Sequence, residues 1–398
     1  MYVHGIRSLF SFPGYVVERI HLDADVAEVR LRRDRRFRLA CPHCGRSMSG
    51  SRTLRQCARD VPLGIARHVL INYEAVQARC RPCQRYVTLR PPGIDERRQS
   101  TQRLMRYVST LCRHLPLNRV QEVVPGIDAS TASRWDRAVL AATLPAPRLS
   151  GLRVLLIDEK AVRRHHGYVT LVMNGHTGEL LHMAEGRKRE SLQSFFDKLS
   201  ARQKASIRAV GMDRHGAYYR VVKEQLPAAA VVFDKFHLIV NYHDVIDSVR
   251  QQECQKAVGE GKRVFAGQRF NLFRNPGNLT GEQAVRLSAL LEVNQNLNTV
   301  YVLKEALMTM WSLNWRRDAR LHLDWWLDRA RETDIKPLRR FANSLHQARD
   351  EVLNYFDYPI TTARLEGMNN LISRIIHRAC GVRDLDYLFM KLRQESLK

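Results

Sequence analysis

Two aspartates stand where apolar segments of the chain end. Asp158 closes the segment RVLLID, and Asp213 closes IRAVGMD. Both segments read as buried strands, and open α/β sheets carry their sites at the carboxyl ends of strands. Two such carboxylates and a third acid could form an oxygen-rich cage for two Mg²⁺ ions about 3.5–4 Å apart. This arrangement favours phosphoryl transfer, and Mn²⁺ could replace Mg²⁺.

A third acid, Glu366, lies in LEGMNNLISRIIHRACG, within a last helix expected from about Thr361 to Gly381. Its polar neighbours recur at helical spacing and would form one stripe: Glu366, Asn369, Asn370 and Ser373. The opposite side is apolar: Leu365, Met368, Ile372, Ile375 and Ala379. We predict that the stripe faces the two aspartates, with Glu366 as third catalytic acid and metal ligand. The simpler interpretation is a solvated helix face and two aspartates that only cap strands.

A third apolar segment, AAVVFD, ends at Asp234, and His237 follows it in FDKFH. If this strand joins the same sheet, both side chains could reach the cleft and support the metal site. Asn369 and Asn370 are candidates for the same supporting role. A purely structural role for Asp234 and His237 remains equally open at this point.

Two cysteine pairs, CPHC and CRPC, have the spacing that lets two thiolates reach one ion from a tight turn. Together they offer four sulfur ligands: Cys41, Cys44, Cys80 and Cys83. We predict one structural Zn²⁺, held because a hairpin in the long intervening segment brings the pairs together. The alternative is four cysteines that are merely buried.

The chain is strongly basic, with 65 lysines and arginines against 40 aspartates and glutamates, a net charge of +25. Its first 150 residues contain 26 arginines and no lysine. Arginine suits phosphate because its planar fork donates two parallel hydrogen bonds. The charge predicts a nucleic acid as partner rather than a membrane surface or an acidic protein. No apolar run approaches the about 18–20 residues that would span a bilayer, so we expect a cytoplasmic protein.

The segment NRVQEVVPGIDASTASRWDRAVL reads as a helix, a turn at Pro125 and Gly126, and a second helix capped by Asp128 or Ser130. This is the pattern of a helix-turn-helix, whose second helix, Ser130–Ala138, would enter a DNA groove. The side chains expected to face DNA are Ser130, Thr131, Ser133 and Arg134. Trp135 should pack inward or against backbone.

The order of these segments predicts a multidomain α+β protein. Residues 1–95 would form a zinc-ribbon-like domain of short strands, and residues 96–145 a helical helix-turn-helix domain. Residues 150–398 alternate strands and helices and would form an α/β catalytic domain. An all-helical insertion at about 250–350 interrupts it and holds four tryptophans.

Taken together, CPHCG with CRPC, IDEKAVRRHHGYVTLV, VGMDRHGAYYRVVKEQLPAAAVVFDKFHLI and RLEGMNNLISRIIHRACGVRDLDYLFMKLR resemble the ISL3 family of insertion-sequence transposases, in the same order. The resemblance implies a DDE transposase with an RNase H-like core and Asp158, Asp213 and Glu366 as catalytic triad. Such enzymes bind the terminal inverted repeats of their own element, cleave DNA there and join it to target DNA. It also implies a homodimer on DNA, associated with the bacterial nucleoid.

Two other functions fit parts of this pattern. A non-catalytic DNA-binding regulator would need the zinc and helix-turn-helix regions, but not three acids positioned by a sheet. An RNase H-like junction nuclease would share the acids and the basic surface but would not join DNA strands.

Overall fold

The computed structural model describes residues 8–397, except 65, 96, 164–166, 258–260, 266, 362 and 380–383. The chain forms two compact units, the first comprising Met1–Pro145 with Arg374–Lys398 and the second Ala146–Ser373. Both units mix strands and helices, which confirms the α+β class. The domain limits 1–95, 96–145 and 150–398 stay a prediction, and contacts group residues 374–398 with the N-terminal part.

The described residues of the first unit form a seven-stranded sheet, in the order β1-β2-β4-β3-β7-β6 with β5 paired to β4. Its strands are β1 Tyr15–Asp23, β2 Val26–Arg33, β3 Gly50–Asp60, β4 His68–Cys80, β5 Arg85–Leu89, β6 Ile94–Asp95 and β7 Ser100–Thr101. Residues of β4 alternate between buried and half-buried, because one face covers an apolar core that includes Val69 and Ile71.

Strands β3 and β4 pair antiparallel, with Gly50 opposite Ala78. This is the hairpin expected between the two cysteine pairs, since Cys44 precedes β3 and Cys80 ends β4. Pairing over the whole length of β3 therefore returns the chain to where it left the first cysteine turn. That part of the prediction is confirmed.

The helices of the first unit are α1 Gln102–His114, α2 Val120–Val123, α3 Ala129–Thr143 and, near the C-terminus, α16 Leu385–Ser396. Asp136 of α3 is fully buried and accepts a hydrogen bond from Ser109 at 2.6 Å and one from the Lys391 ammonium at 2.9 Å. The Tyr387 hydroxyl donates to the same carboxylate, and burial raises the pKa of Tyr387. Removing one partner of such a buried ion pair typically costs about 3–5 kcal/mol. The C-terminal helix is thus part of the core that holds α3.

The second unit contains a five-stranded sheet in the order β10-β9-β8-β11-β12. Its strands are β8 Val154–Arg163, β9 Gly167–Asn174, β10 Leu180–Glu185, β11 Ala209–Met212 and β12 Ala230–Phe233. The first three strands pair antiparallel, whereas β11 is parallel to both β8 and β12. Residues Leu155 and Ile157 of β8 pack in the apolar core under the first helices of this unit.

Helices follow the strands and then take over the chain. They are α4 Arg189–Phe196, α5 Ala201–Ser206, α6 Gly216–Gln225, α7 Lys235–Lys256, α8 Gly261–Phe265, α9 Arg269–Phe273, α10 Gly281–Val293, α11 Gln295–Thr309, α12 Arg316–Glu332, α13 Lys336–Gln347, α14 Arg349–Leu353 and α15 Ala363–Arg378. Between α7 and α14 they share one apolar core centred on Trp326, as the predicted helical insertion requires. The helix expected from about Thr361 to Gly381 is α15, and it is not the last helix as predicted, because α16 follows it. Thr361 lies before α15, and Thr362 and Gly381 lie outside the described residues.

Candidate functional site

Asp158 lies within a strand rather than at its end, so the expectation that it closes its strand was wrong. Strand β8 continues to Arg163 because β9 pairs with it beyond this point, with Asp158 opposite Leu171. On its other side, β8 pairs with β11 only as far as Ile157. Asp158 is therefore the first residue of β8 past the parallel pairing, where the sheet opens.

The register of the parallel strands brings three aspartates to one level of the sheet. Met212 of β11 is paired with Ile157 of β8 on one side and with Phe233 of β12 on the other. The residue that follows each of these is an aspartate: Asp213, Asp158 and Asp234. Neighbouring strands lie about 4.8 Å apart, so the three carboxylates share one edge of the sheet.

The face of the sheet that carries Asp158 is the face on which α15 packs. Asn369 of α15 donates a hydrogen bond to Asp158 Oδ2 at 2.6 Å. The backbone N–H of Glu159 donates to the other carboxylate oxygen at 2.7 Å. Burial raises the pKa of Asp158, and the nearby Asp213 charge adds to this rise. A buried carboxylate of this kind is stabilised in its charged form by a cation.

Glu366 lies one helical turn before Asn369 and belongs to the predicted polar stripe of α15. Its side chain is exposed, as is that of Asn370, and neither forms a hydrogen bond within the described residues. The apolar side of the helix is buried as expected at Leu365, Met368, Ile372 and Ile375. Ala379 is exposed instead, because the helix ends at Arg378.

A glycine that sequence reasoning overlooked allows this packing. A Cβ on Gly211 of β11 would stand 2.8 Å from Ile360 Cγ2 and 2.9 Å from Leu156 Cδ2. Both distances are shorter than real Cβ contacts, so only glycine lets the segment before α15 approach the sheet this closely. The available signal was a glycine inside an apolar strand, which often marks a close approach.

His237 joins the other two aspartates of the row. Its Nδ1 lies 2.7 Å from Asp213 Oδ1 and 2.9 Å from Asp234 Oδ2. The hydrogen bonds to these carboxylates raise the pKa of His237 to about 10. Asp234 also caps α7 by accepting from the Phe236 N–H at 3.0 Å. Asp234 thus has a structural role, and it is linked through His237 to Asp213, a predicted catalytic aspartate.

The donor set suits a divalent ion. One ligand atom from each of Asp213, Asp234 and His237 lies within 4.8 Å of the others. With Asp158 beside them, most donors are carboxylate oxygens, which Mg²⁺ and Mn²⁺ prefer. His237 can coordinate such an ion only after it loses the proton that the two neighbouring carboxylates favour.

The four predicted zinc ligands meet in the first unit. Cys41 Sγ lies 4.0 Å from Cys83 Sγ, and Cys44 Sγ lies 3.6 Å from Cys80 Sγ. Four thiolates at about 2.3 Å from one Zn²⁺ would be separated by roughly 3.8 Å, so the cluster has the size of a tetrahedral site. The backbone N–H of His43 is the main cause that lowers the pKa of Cys41 to about 7. These residues could hold a metal ion.

The helix-turn-helix segment is built as expected around its second helix. Asp128, one of the two proposed caps, accepts from the Thr131 N–H at 2.6 Å. Trp135 packs inward and is buried. Of the predicted DNA-facing residues, Ser130 and Arg134 are exposed, and Thr131 and Ser133 are half-buried. The first helix is shorter than predicted, a 3₁₀ turn followed by α2.

The chain is similar to known proteins over most of its length. A family model described as Transposase, for DDE transposases of the ISL3 type, matches residues 155–392. The transposase for insertion sequence element IS1001 of Bordetella parapertussis is 32% identical over 400 residues, covering 98% of this chain and 97% of that protein. The chain belongs to the ISL3 family of transposases.

A further relative of this ISL3-family chain is the transposase for insertion sequence element IS1557 of Mycobacterium tuberculosis. It is 27% identical over 259 residues, covering 59% of this chain and 58% of that protein, in strains CDC 1551 / Oshkosh and ATCC 25618 / H37Rv. The predicted resemblance is therefore confirmed, and nothing in these comparisons favours a non-catalytic regulator or a junction nuclease.

Family membership makes the chain a DNA-binding enzyme of the polynucleotidyl-transferase type, and such enzymes use divalent metal. Within the described residues, none of the helices is both long enough and apolar enough to cross a membrane. The cytoplasmic, nucleoid-associated location stays a prediction.

Proposed function

We propose that this transposase cleaves DNA at the terminal inverted repeats of its own element and joins those ends to target DNA, with Asp158, Asp213 and Glu366 as catalytic carboxylates. The observation that carries the proposal is the shared register of β8 and β11. It puts Asp158 and Asp213 side by side at an opening of the sheet. Glu366 is assigned through Asn369, which lies one turn further along α15 and hydrogen-bonds to Asp158.

The three carboxylates would hold two Mg²⁺ ions, or Mn²⁺ in their place. When bound, two such ions make a water or a 3′ hydroxyl a better nucleophile and stabilise the leaving 3′ oxygen. The protein's own part is to fix the ligands. Asn369 orients the Asp158 carboxylate, and His237 with Asp234 orients Asp213, so these three are positioning residues. Asn370, on the exposed side of α15, is assigned a supporting contact to DNA or metal-bound water.

The sheet of the second unit supports an RNase H-like core with a helical insertion. Three antiparallel strands are followed by two strands parallel to β8, and the helices from α7 to α14 precede the helix that carries Glu366. The zinc-ribbon-like and helix-turn-helix regions of the first unit would bind the element ends. Ser130, Thr131, Ser133 and Arg134 are the proposed DNA contacts of α3.

Replacing Glu366 by Gln should abolish cleavage while leaving DNA binding intact. The substitution keeps the size of the side chain and removes one metal-binding charge. We expect Mg²⁺-dependent nicking of a duplex carrying the element end to fall at least about a hundredfold in Glu366→Gln, with unchanged affinity in a gel-shift assay. The matched control is Glu190→Gln, an exposed glutamate of α4. Full cleavage by Glu366→Gln would remove Glu366 from the catalytic set.

We also propose that Cys41, Cys44, Cys80 and Cys83 bind one structural Zn²⁺. Cys44→Ser should lose the metal and lower the melting temperature, because β4 ends at this cluster and structural zinc stabilises small domains. Cys57→Ser, at another exposed cysteine of the same sheet, should retain one Zn²⁺ per chain. Metal content and thermal unfolding measure both effects. Equal zinc content in the two variants would contradict the assignment.

We further propose that the protein forms a homodimer on DNA, since a transposase must hold two element ends. The tryptophan-bearing insertion is its candidate surface, where Trp315 and Trp325 are exposed. Sedimentation of the full chain with end DNA should give two chains per complex. One chain per complex at saturating protein would rule the dimer out.

A further inference from the structure

An open groove of about 760 Å³ crosses the surface of the first unit beside α3. Its most frequent lining residue is arginine, contributed by the sheet, by the segment between β6 and β7, and by α3: Arg59, Arg97, Arg98, Arg134 and Arg137. Among the described residues, no acidic side chain lines it. Five guanidinium groups around one groove form a strongly anion-attracting surface.

The groove is held open by Arg59, which connects the sheet to the helix-turn-helix. Its backbone N–H donates to Gln99 O at 2.9 Å, beside the arginines of the segment between β6 and β7. Its guanidinium donates to the carbonyls of Pro125 and Gly126, at 3.0 Å to Gly126. Gly126 has a φ of +74°, and a Cβ there would stand 3.3 Å from Arg59 Nη1. The two walls are therefore fixed before any ligand arrives, which lowers the entropic cost of binding.

The wall formed by α3 presents one helical stripe: Thr131, Arg134, Ala138 and Ala141. Arg134 Nη2 donates to Thr131 Oγ1 at 3.1 Å, which holds the guanidinium at the groove. The two alanines leave room for another backbone to approach the helix. Ser130 and Ser133 are not among the lining residues, so this stripe is only part of the predicted DNA-facing set.

The arginines differ in how far they are neutralised. Arg98 forms an ion pair with Asp95 at 2.8 Å, and Arg137 pairs with Asp384. Arg97 is exposed and, within the described residues, has neither an ion pair nor a hydrogen bond from its side chain. Arg134 donates a hydrogen bond to Thr131, and its charge helps to lower the pKa of nearby Asp128. Neither Arg97 nor Arg134 forms an ion pair within the described residues, so both keep donors for a ligand.

We propose that this groove holds the sugar–phosphate backbone of double-stranded DNA, with Arg97 and Arg134 as phosphate contacts on opposite walls. The inference rests on the proposed function and adds Arg97 to the DNA contacts already proposed on α3. We favour DNA over a small anion because five guanidinium groups, contributed by three parts of the chain, line this open groove. Phosphate contacts fix the position of the protein on the duplex without reading its sequence. Arg97 would therefore set how α3 is placed on DNA.

The test compares Arg97→Ala with Arg202→Ala, which removes the same charge from an exposed arginine of α5 in the second unit. Binding of the full chain is measured by fluorescence anisotropy from low to moderate salt, on an element-end duplex and on a random duplex. Loss of one phosphate contact should weaken Arg97→Ala about tenfold on both duplexes. A plot of the logarithm of the binding constant against the logarithm of salt concentration should become less steep, its slope decreasing in magnitude by about one. Arg97→Lys should recover most of that slope, and Arg202→Ala should match the wild type.

Arg134→Ala separates the two kinds of contact. As a phosphate ligand, it should lose affinity equally on both duplexes, as Arg97→Ala does. A larger loss on the element end would assign Arg134 to base reading and leave Arg97 as the groove's phosphate contact. If the wild type binds DNA but Arg97→Ala behaves like Arg202→Ala, the groove proposal is overturned while the proposed function stands. If the wild type binds neither duplex, the proposed function falls with it.

Discussion

The parallel pairing of β11 with β8 and β12 is the constraint on which the candidate active site depends. Because Met212 is opposite both Ile157 and Phe233, the next residue of each strand falls at the same level, and each is an aspartate. A slip of one residue in either pair would send one carboxylate to the other face. The apolar core under the sheet prevents this, because it needs Leu155 and Ile157 on its own side.

A row of acids on a partly buried edge is unfavourable unless each carboxylate has a partner. The protein supplies these partners from helices that follow the strands: Asn369 for Asp158, and His237 for Asp213 and Asp234. The same contacts fix the direction of the carboxylate oxygens. The interactions that stabilise these carboxylates are therefore the same ones that would orient them for divalent ions.

Short-range signals in the sequence were sufficient for the strands, the cysteine cluster and the second helix of the helix-turn-helix. Apolar runs led to the three aspartates that the strand register aligns, and the cysteine spacing identified the four residues that meet in the first unit. What the sequence could not supply was register. Asp158 was expected at a strand end, but β9 extends β8 past it. The close approach at Gly211 and the carbonyl contacts of Arg59 also depend on segments far apart in the chain, so no local pattern contains them.

The central claim is that Asp158 and Asp213, together with Glu366, bind the divalent ions, and binding of Mn²⁺ followed by electron paramagnetic resonance tests it most directly. Asp158→Asn and Glu159→Gln form the comparison, since adjacent strand residues point to opposite faces and Glu159 lies near Arg187 and His215 instead. We predict that Asp158→Asn binds Mn²⁺ at least about tenfold more weakly than the wild type, and that Glu159→Gln binds it as the wild type does. Unchanged Mn²⁺ binding by Asp158→Asn, or an equal loss in both variants, would contradict the account.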